Sequence, residues 1–164
     1  MKLTIIIVSW NVSEKLKLNL ESIFDSKLDF DFEVIVVDNN SADDTCEMIK
    51  NEFSQVKLIA NKENLGFAKG NNIAIKDVKS EYILLLNPDM ILKPDTLQNM
   101  IGWYMRNEEV SVAGCKLINK DRKIVKHVRR FPTLWDQSLI VLKVPHLFPS
   151  VLDGYICKDF NYEE

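Results

Sequence analysis

LTIIIVS, residues 3–9, is a nearly unbroken apolar run rich in β-branched side chains. A strand with one wet face alternates between apolar and polar. A continuous run is buried on both faces, as in a parallel sheet covered by its own crossovers. FEVIVVD, residues 32–38, repeats the pattern. VKLIAN (56–61) and EYILLLN (81–87) predict a third and a fourth strand, and VSVAGCKLI (110–118) a fifth. Helical signals lie between them. Ser13 is placed to cap a helix whose apolar stripe is Leu16, Leu20, Ile23 and Phe24. Ser41 and Asp44 have capping-box spacing ahead of a helix with Cys46, Ile49 and Phe53 on one face. A Gly-bearing loop runs into a helix over 64–78, and Pro94 suits the first turn of a helix through Tyr104. This alternation predicts an α/β domain, a Rossmann-like, mostly parallel sheet flanked by helices. After about residue 119 the pattern weakens. KIVKHVRRF reads as a short strand and TLWDQSLIVLKV as a helix, and the chain looks cut short, with no convincing final element.

Bulk properties narrow the function. The 164 residues carry a net charge of −3 with 46% hydrophobic and 27% charged residues, ordinary for a globular domain. No long Lys/Arg block is present, so nucleic acid is excluded as a non-specific partner. Cys46, Cys115 and Cys157 are odd in number and widely spaced, which predicts a reducing, cytoplasmic setting and buried thiols. The short N-terminal apolar run has no cleavage pattern after it, and no stretch is long enough to predict a spanning helix.

In a parallel α/β sheet, ligands bind beyond the carboxyl ends of the strands. Those tips are polar throughout: Ser9, Trp10 and Asn11; Asp38, Asn39 and Asn40; Asn61, Asn64 and Gly66; Asn87 and Asp89. Asp38 can accept hydrogen bonds from a base or ribose, and can equally serve a strand-end turn. Ser41 and Asp44 read as helix caps; Asp43 has the better reach toward a ligand. Gly66 and Gly70 permit close backbone approach. Asn71 and Asn72 are poor helix formers within a helical segment. Neither a Walker A loop nor a dinucleotide fingerprint is present. Asn87-Pro88-Asp89 has turn composition, yet an Asp held at a strand tip beside Asp38 also suits a divalent cation and a diphosphate. His127, Arg129 and Arg130 read as a solvated strand face and Trp103 as core. Trp135 is left between core and surface, and His146 is assigned nothing.

Together these motifs resemble glycosyltransferase family 2. TIIIVSWN is similar to its opening strand, VIVVDNNSADDT to its nucleotide loop, NKENLGFAKGNN to its asparagine-glycine segment and YILLLNPDM to its metal-binding strand end. The Asn-Pro-Asp form resembles the rhamnosyltransferase-like branch. The resemblance implies a GT-A fold and inverting transfer from a nucleotide-diphospho-sugar to a saccharide or lipid-linked acceptor, in polysaccharide or glycolipid synthesis. Carried over by position, Val8, Ser9 and Asn11 would line the base pocket, and Asp38, helped by Asp43, would bind base or ribose. Asn64, Gly66 and Asn71 or Asn72 would close over the nucleotide. Asp89 would hold Mg²⁺ or Mn²⁺ with Asn87 beside it, in place of the first acid of Asp-x-Asp.

The general base such a reaction needs is not found; Glu163 and Glu164 stand in no suitable context. Residues 1–118 are therefore expected to form the nucleotide-sugar-binding domain. Residues 119–164 would be an incomplete extension of it, with the acceptor region missing and little activity from this chain alone. The competing reading is a non-catalytic nucleotide-binding or interaction module. A sugar nucleotidyltransferase would want a Gly-rich basic loop after the first strand, where SWNVSEKLK stands. Apolar residues over 139–144 and 147–152 are expected to be exposed and to favour a homodimer. The protein would be cytoplasmic, and peripheral to the membrane if its acceptor is lipid-linked, although Lys143 and the basic run over 126–130 are too slight to argue membrane contact.

Overall fold

The structure, a computed structural model, describes residues 2–162, so Glu163 and Glu164 lie outside the described residues. The chain divides into two compact units, one up to Glu109 and one from Val110 onward. In the first, strands β1 (Leu3–Ser9), β2 (Phe32–Asp38), β3 (Lys57–Ala60) and β4 (Tyr82–Leu86) alternate with helices α1 (Ser13–Phe24), α2 (Thr45–Glu52), α3 (Gly66–Ile75) and α4 (Thr96–Tyr104). The sheet is parallel in the order β3-β2-β1-β4.

Every residue of β1 is buried, as its unbroken apolar run requires. Leu3, Ile5 and Ile7 face one side and meet Leu16, Leu20 and Ile23 of α1, Ile49 of α2, and Leu97 and Ile101 of α4. Ile6 and Val8 face the other side with Ile35, Val37 and Ala74 of α3. Thr4, fully buried between them, donates its hydroxyl to Glu33 at 2.7 Å. The outer strand β4 is covered on one face only: Leu86 is buried, whereas Ile83 and Leu85 are 43% and 46% exposed.

Several local expectations are corrected. Ser13 is the first residue of α1, not its cap, and Pro94 precedes α4 rather than lying in its first turn. Trp103 is exposed, because Leu97 and Ile101 already fill the buried face of α4. The fifth strand does not form. β propensity needs a partner, and over 110–118 the chain finds only the bridge Ile118–Ile124. That bridge closes a tight turn in which Asn119 Oδ1 accepts N–H bonds from Asp121 and Lys123. The strand expected over 123–131 is likewise reduced to this bridge.

The second unit contains α5 (Leu134–Val141), in the stretch expected to be helical. Thr133 and Asp136 form a reciprocal capping box, and Arg130 bonds the same carboxylate at 2.9 Å. The Thr133 hydroxyl and N–H, opposed by burial and aided by the Arg130 charge, hold Asp136 below the usual carboxylate range. Of the apolar tail, Val141, Leu142, Leu147 and Phe148 are exposed as expected, while Leu139 and Leu152 are buried. Trp135 is on the surface. Cys115 is exposed and Cys46 and Cys157 are half-buried, so the thiols are less sheltered than expected. Among the described residues no helix is long and apolar enough to cross a membrane.

Candidate functional site

Four parallel strands bring their carboxyl ends to one edge, and the site residues anticipated from the sequence lie in the last residues of β1 and β2, in the loops beyond the strands and in α3. Beyond β1 and β2 the chain turns through left-handed residues, Asn11 at φ 52° and Asn40 at φ 62°. Asparagine tolerates this conformation better than most residues. Gly66, at φ 75°, makes the corresponding turn into α3.

Asp38 ties the first two loops together. Its carboxylate accepts from the Ser41 N–H at 2.9 Å, from the Ser41 hydroxyl and from the Ser9 hydroxyl at 3.3 Å. At 1% exposure it lies beneath the loop, not on its surface. Burial and the adjacent Asp38 charge push the Cys46 thiol up, so it stays protonated beside the carboxylate. Asn11 completes the junction: its N–H donates to the Ser41 hydroxyl at 2.9 Å, and its side-chain oxygen accepts from Ala42 N–H at 2.7 Å. Ser41 therefore belongs to this latch and not to the start of α2. Asp44 precedes α2 without capping it through its side chain.

Asp43 does the capping, and for two helices at once. Its Oδ2 accepts from the Ser13 N–H at the start of α1, and its Oδ1 from the Thr45 N–H at the start of α2, both at 3.1 Å. The Thr45 hydroxyl also bonds Oδ1. Burial pulls the Asp43 pKa up, but the Thr45 hydroxyl and these N–H groups outweigh it and set it below the ordinary value. A carboxyl lowered on folding stabilises the folded state above its unfolded pKa of about 4, and that contribution fades as pH falls through the folded value. Asp43→Ala should thus lower the melting temperature at pH 7 by an amount matching a lost cap, about 1 kcal/mol. In melts from pH 7 to 3 the gap between variant and wild type should narrow below about pH 4. A constant gap would show that the charge does not matter.

The third loop is joined through asparagines. Asn39, buried, accepts from Asn61 Nδ2 at 2.9 Å and donates to the Gly66 carbonyl at 3.3 Å. Asn64 accepts the Gly66 N–H at 2.9 Å, shaping the entry to α3. Gly70 lets α3 lie on β1, for a Cβ there would meet Val8 Cγ1 at 2.9 Å. Asn71 is 3% exposed; its Nδ2 donates to the Phe67 carbonyl at 2.9 Å, and its Oδ1 has no partner among the described residues. Asn72 is exposed on the same helix.

The fourth loop differs. Asn87 and Asp89 are exposed, and the Asp89 carboxylate bonds to no other described residue. A free carboxylate at a strand tip, with an amide oxygen two residues away, offers hard oxygen ligands that suit Mg²⁺ or Mn²⁺. Among the described residues there is no cluster of three metal-ligating side chains, so a cation here would need oxygens from its ligand. Sequence reasoning missed what supports this loop. Asn19, fully buried in α1, donates from Nδ2 to the carbonyls of Met90 at 2.6 Å and Asn87 at 3.4 Å. Its only sequence signal is an amide three residues after Leu16, on the apolar face of the helix.

A family model described as Glycosyl transferase family 2 matches residues 4–156. The uncharacterized glycosyltransferase YfnE of Bacillus subtilis is 33% identical over 116 residues, covering 70% of this chain and 30% of YfnE. The minor teichoic acid biosynthesis protein GgaB of the same organism is 23% identical over 162 residues, 95% of this chain and 18% of GgaB. Among solved structures, S. aureus TarS 1–349 in complex with UDP-GlcNAc aligns with a TM-score of 0.59 and 25% identity, over 66% of this chain and 32% of that one. The chain thus spans a third or less of these relatives. The TarS match agrees with the GT-A architecture expected for the sheet.

Proposed function

The chain belongs to glycosyltransferase family 2, and from that premise we propose that it forms the donor-binding part of an inverting glycosyltransferase. The donor is a nucleotide-diphospho-sugar, and the acceptor is a saccharide or lipid-linked chain in polysaccharide or glycolipid synthesis. The observation that carries the reading is the unpartnered, exposed Asp89 carboxylate on the same sheet edge as the asparagine-joined loops. The names of GgaB and of the UDP-GlcNAc complex support the substrate classes, and three free cysteines support a reducing compartment.

In this reading the nucleoside lies over the loops after β1 and β2. Val8, Ser9 and Asn11 form its floor. Asp38 fixes that floor through Ser9 and Ser41, and its buried charge favours ligand N–H and hydroxyl donors at the rim. Asn64, Gly66, Asn71 and Asn72 close the opposite side. Asp89, with Asn87, would hold Mg²⁺ or Mn²⁺; bound there, the cation neutralises the charge of the departing nucleoside diphosphate. Asp43 is left out of the ligand contacts, because both its oxygens serve helix starts. No residue of this chain is assigned as the base that takes the acceptor's proton.

Thermal melts with UDP, dTDP and GDP, each with Mn²⁺ and with EDTA, test the reading, since a ligand of the folded state raises the melting temperature by mass action. One nucleotide should give a shift that is larger with Mn²⁺. No shift with any of the three would overturn the proposal.

A further inference from the structure

We propose that Asn19 is a positioning residue for Asp89, acting as a clamp through which α1 sets the metal-binding turn against the nucleoside-binding loops. The proposal rests on the reading of Asp89 given above. A fully buried amide on an apolar helix face is costly, the more so because Asn19 Oδ1 has no partner among the described residues, so the bonds from its nitrogen must offset that cost. Leu16, Leu20 and Ile23 show what that face otherwise uses. Asn19 directs its amide nitrogen at two carbonyls, those of Asn87 and Met90, which bracket Pro88 and Asp89. The turn's own closing bond, from Met90 N–H to the Asn87 carbonyl, is long at 3.3 Å. The bond from Asn19 to Met90, at 2.6 Å, is the shorter. One turn further along α1, Ser22 accepts the Leu92 N–H at 3.1 Å and donates to the Asn19 carbonyl at 2.7 Å.

The opposite end of the same helix is held by Asp43 through Ser13 N–H, and Asn11, just before it, is held by Ser41 and Ala42. A single rigid element therefore carries the nucleoside loops at its start and the Asp89 turn along its flank. A nucleoside diphosphate must satisfy both ends at once, so the spacing between them matters to affinity. Asn19 touches neither nucleotide nor cation; it fixes where the Asp89 carboxylate stands.

Asn19→Leu keeps the branched outline of the side chain, puts methyl groups where the amide oxygen and nitrogen stand, and removes both N–H donors. Calorimetric titration would use whichever of UDP, dTDP and GDP binds best, with Mn²⁺ and with EDTA. Hydrogen exchange of the Met90 and Leu92 amides would be read on the same samples. The metal-free affinity should stay within about twofold of wild type, while the gain in affinity on adding Mn²⁺ falls about tenfold, as supporting-partner mutations near metals do. Exchange at Met90 and Leu92 should quicken. A folded Asn19→Leu protein that keeps the full Mn²⁺ gain would overturn the proposal, and so would unchanged exchange at both amides. If the wild type itself gains nothing from Mn²⁺, the reading of Asp89 fails first and the clamp has no function to serve. That failure is distinguishable, because it is seen before any substitution is made. Should Asn19→Leu not fold, Ser22→Ala, which removes the acceptor for Leu92 N–H and the hydroxyl donor to the Asn19 carbonyl, carries the same test. It should give a smaller loss of the Mn²⁺ gain, and an unaltered gain would overturn the proposal.

Discussion

Asp89→Ala should remove the manganese-dependent part of nucleoside diphosphate binding and leave the melting temperature of the free protein where it was. Asp89 is exposed and bonds to no other described residue, so its carboxylate supports nothing in the fold. Surface substitutions of that kind change stability by no more than about 0.5 kcal/mol. Affinity is another matter. Among the described residues the site offers one carboxylate and no cluster of other metal ligands, so removing Asp89 would leave a cation with ligand oxygens, water and the Asn87 amide. Affinity in Mn²⁺ should fall about tenfold or more, some 1.4 kcal/mol, while affinity in EDTA is unaffected. Calorimetry under both conditions separates the two terms. Equal Mn²⁺ gains in wild type and variant would mean that Asn-Pro-Asp is only a turn.

Gly70→Val should be the most damaging single change at the interface between α3 and the sheet. A Cβ at Gly70 would sit 2.9 Å from Val8 Cγ1 and 3.0 Å from Cγ2. Val8 cannot retreat, because its backbone is paired with Val37 on β2 and its side chain is buried with Ile35 and Ala74. Alanine at this position would recover about 1 kcal/mol of helix propensity against the clash. Valine adds two more methyl groups and regains less. Its cost should approach the upper end for overpacking, about 3 kcal/mol, or roughly 10 °C in melting temperature for a chain of this size. Val8→Ala removes the methyl groups that clash, so the double variant should recover part of the loss. Thermal melts of all four proteins form the cycle that measures the coupling. Strictly additive effects would show that α3 rests on β1 through other contacts.

The inner strands β1 and β2 were legible because burial on both faces leaves an apolar run that no amphipathic helix would show. The failed strand over 110–118 has the same propensity, and only the absence of a partner distinguishes it. That information is not local. The helix starts were legible as regions but not as residues. Ser41 and Asp44 have capping spacing, yet the carboxylate that caps α2 is Asp43, chosen because it also reaches Ser13, 30 residues back. Asn19 was illegible for the same reason, since its partners lie 68 and 71 residues further on. The site edge was read from strand tips alone. What could not be read there is that Asp38 is sealed beneath its loop while Asp89 is free.

The sheet order has a consequence for the timing of assembly. β1 lies between β2 and β4, and its pairing with β4 joins segments as far apart as Lys2 and Glu81, 79 residues distant. During synthesis, at roughly 5–20 residues per second, β1, β2 and the helix between them exist for several seconds before β4 can arrive. Throughout that interval one side of β1 is unzipped, with its amide and carbonyl groups open to any passing chain. The closing of that seam also carries the Asp89 turn into register, so the nascent protein gains the exposed Asp89 carboxylate at the sheet edge in the same event that seals its most vulnerable edge.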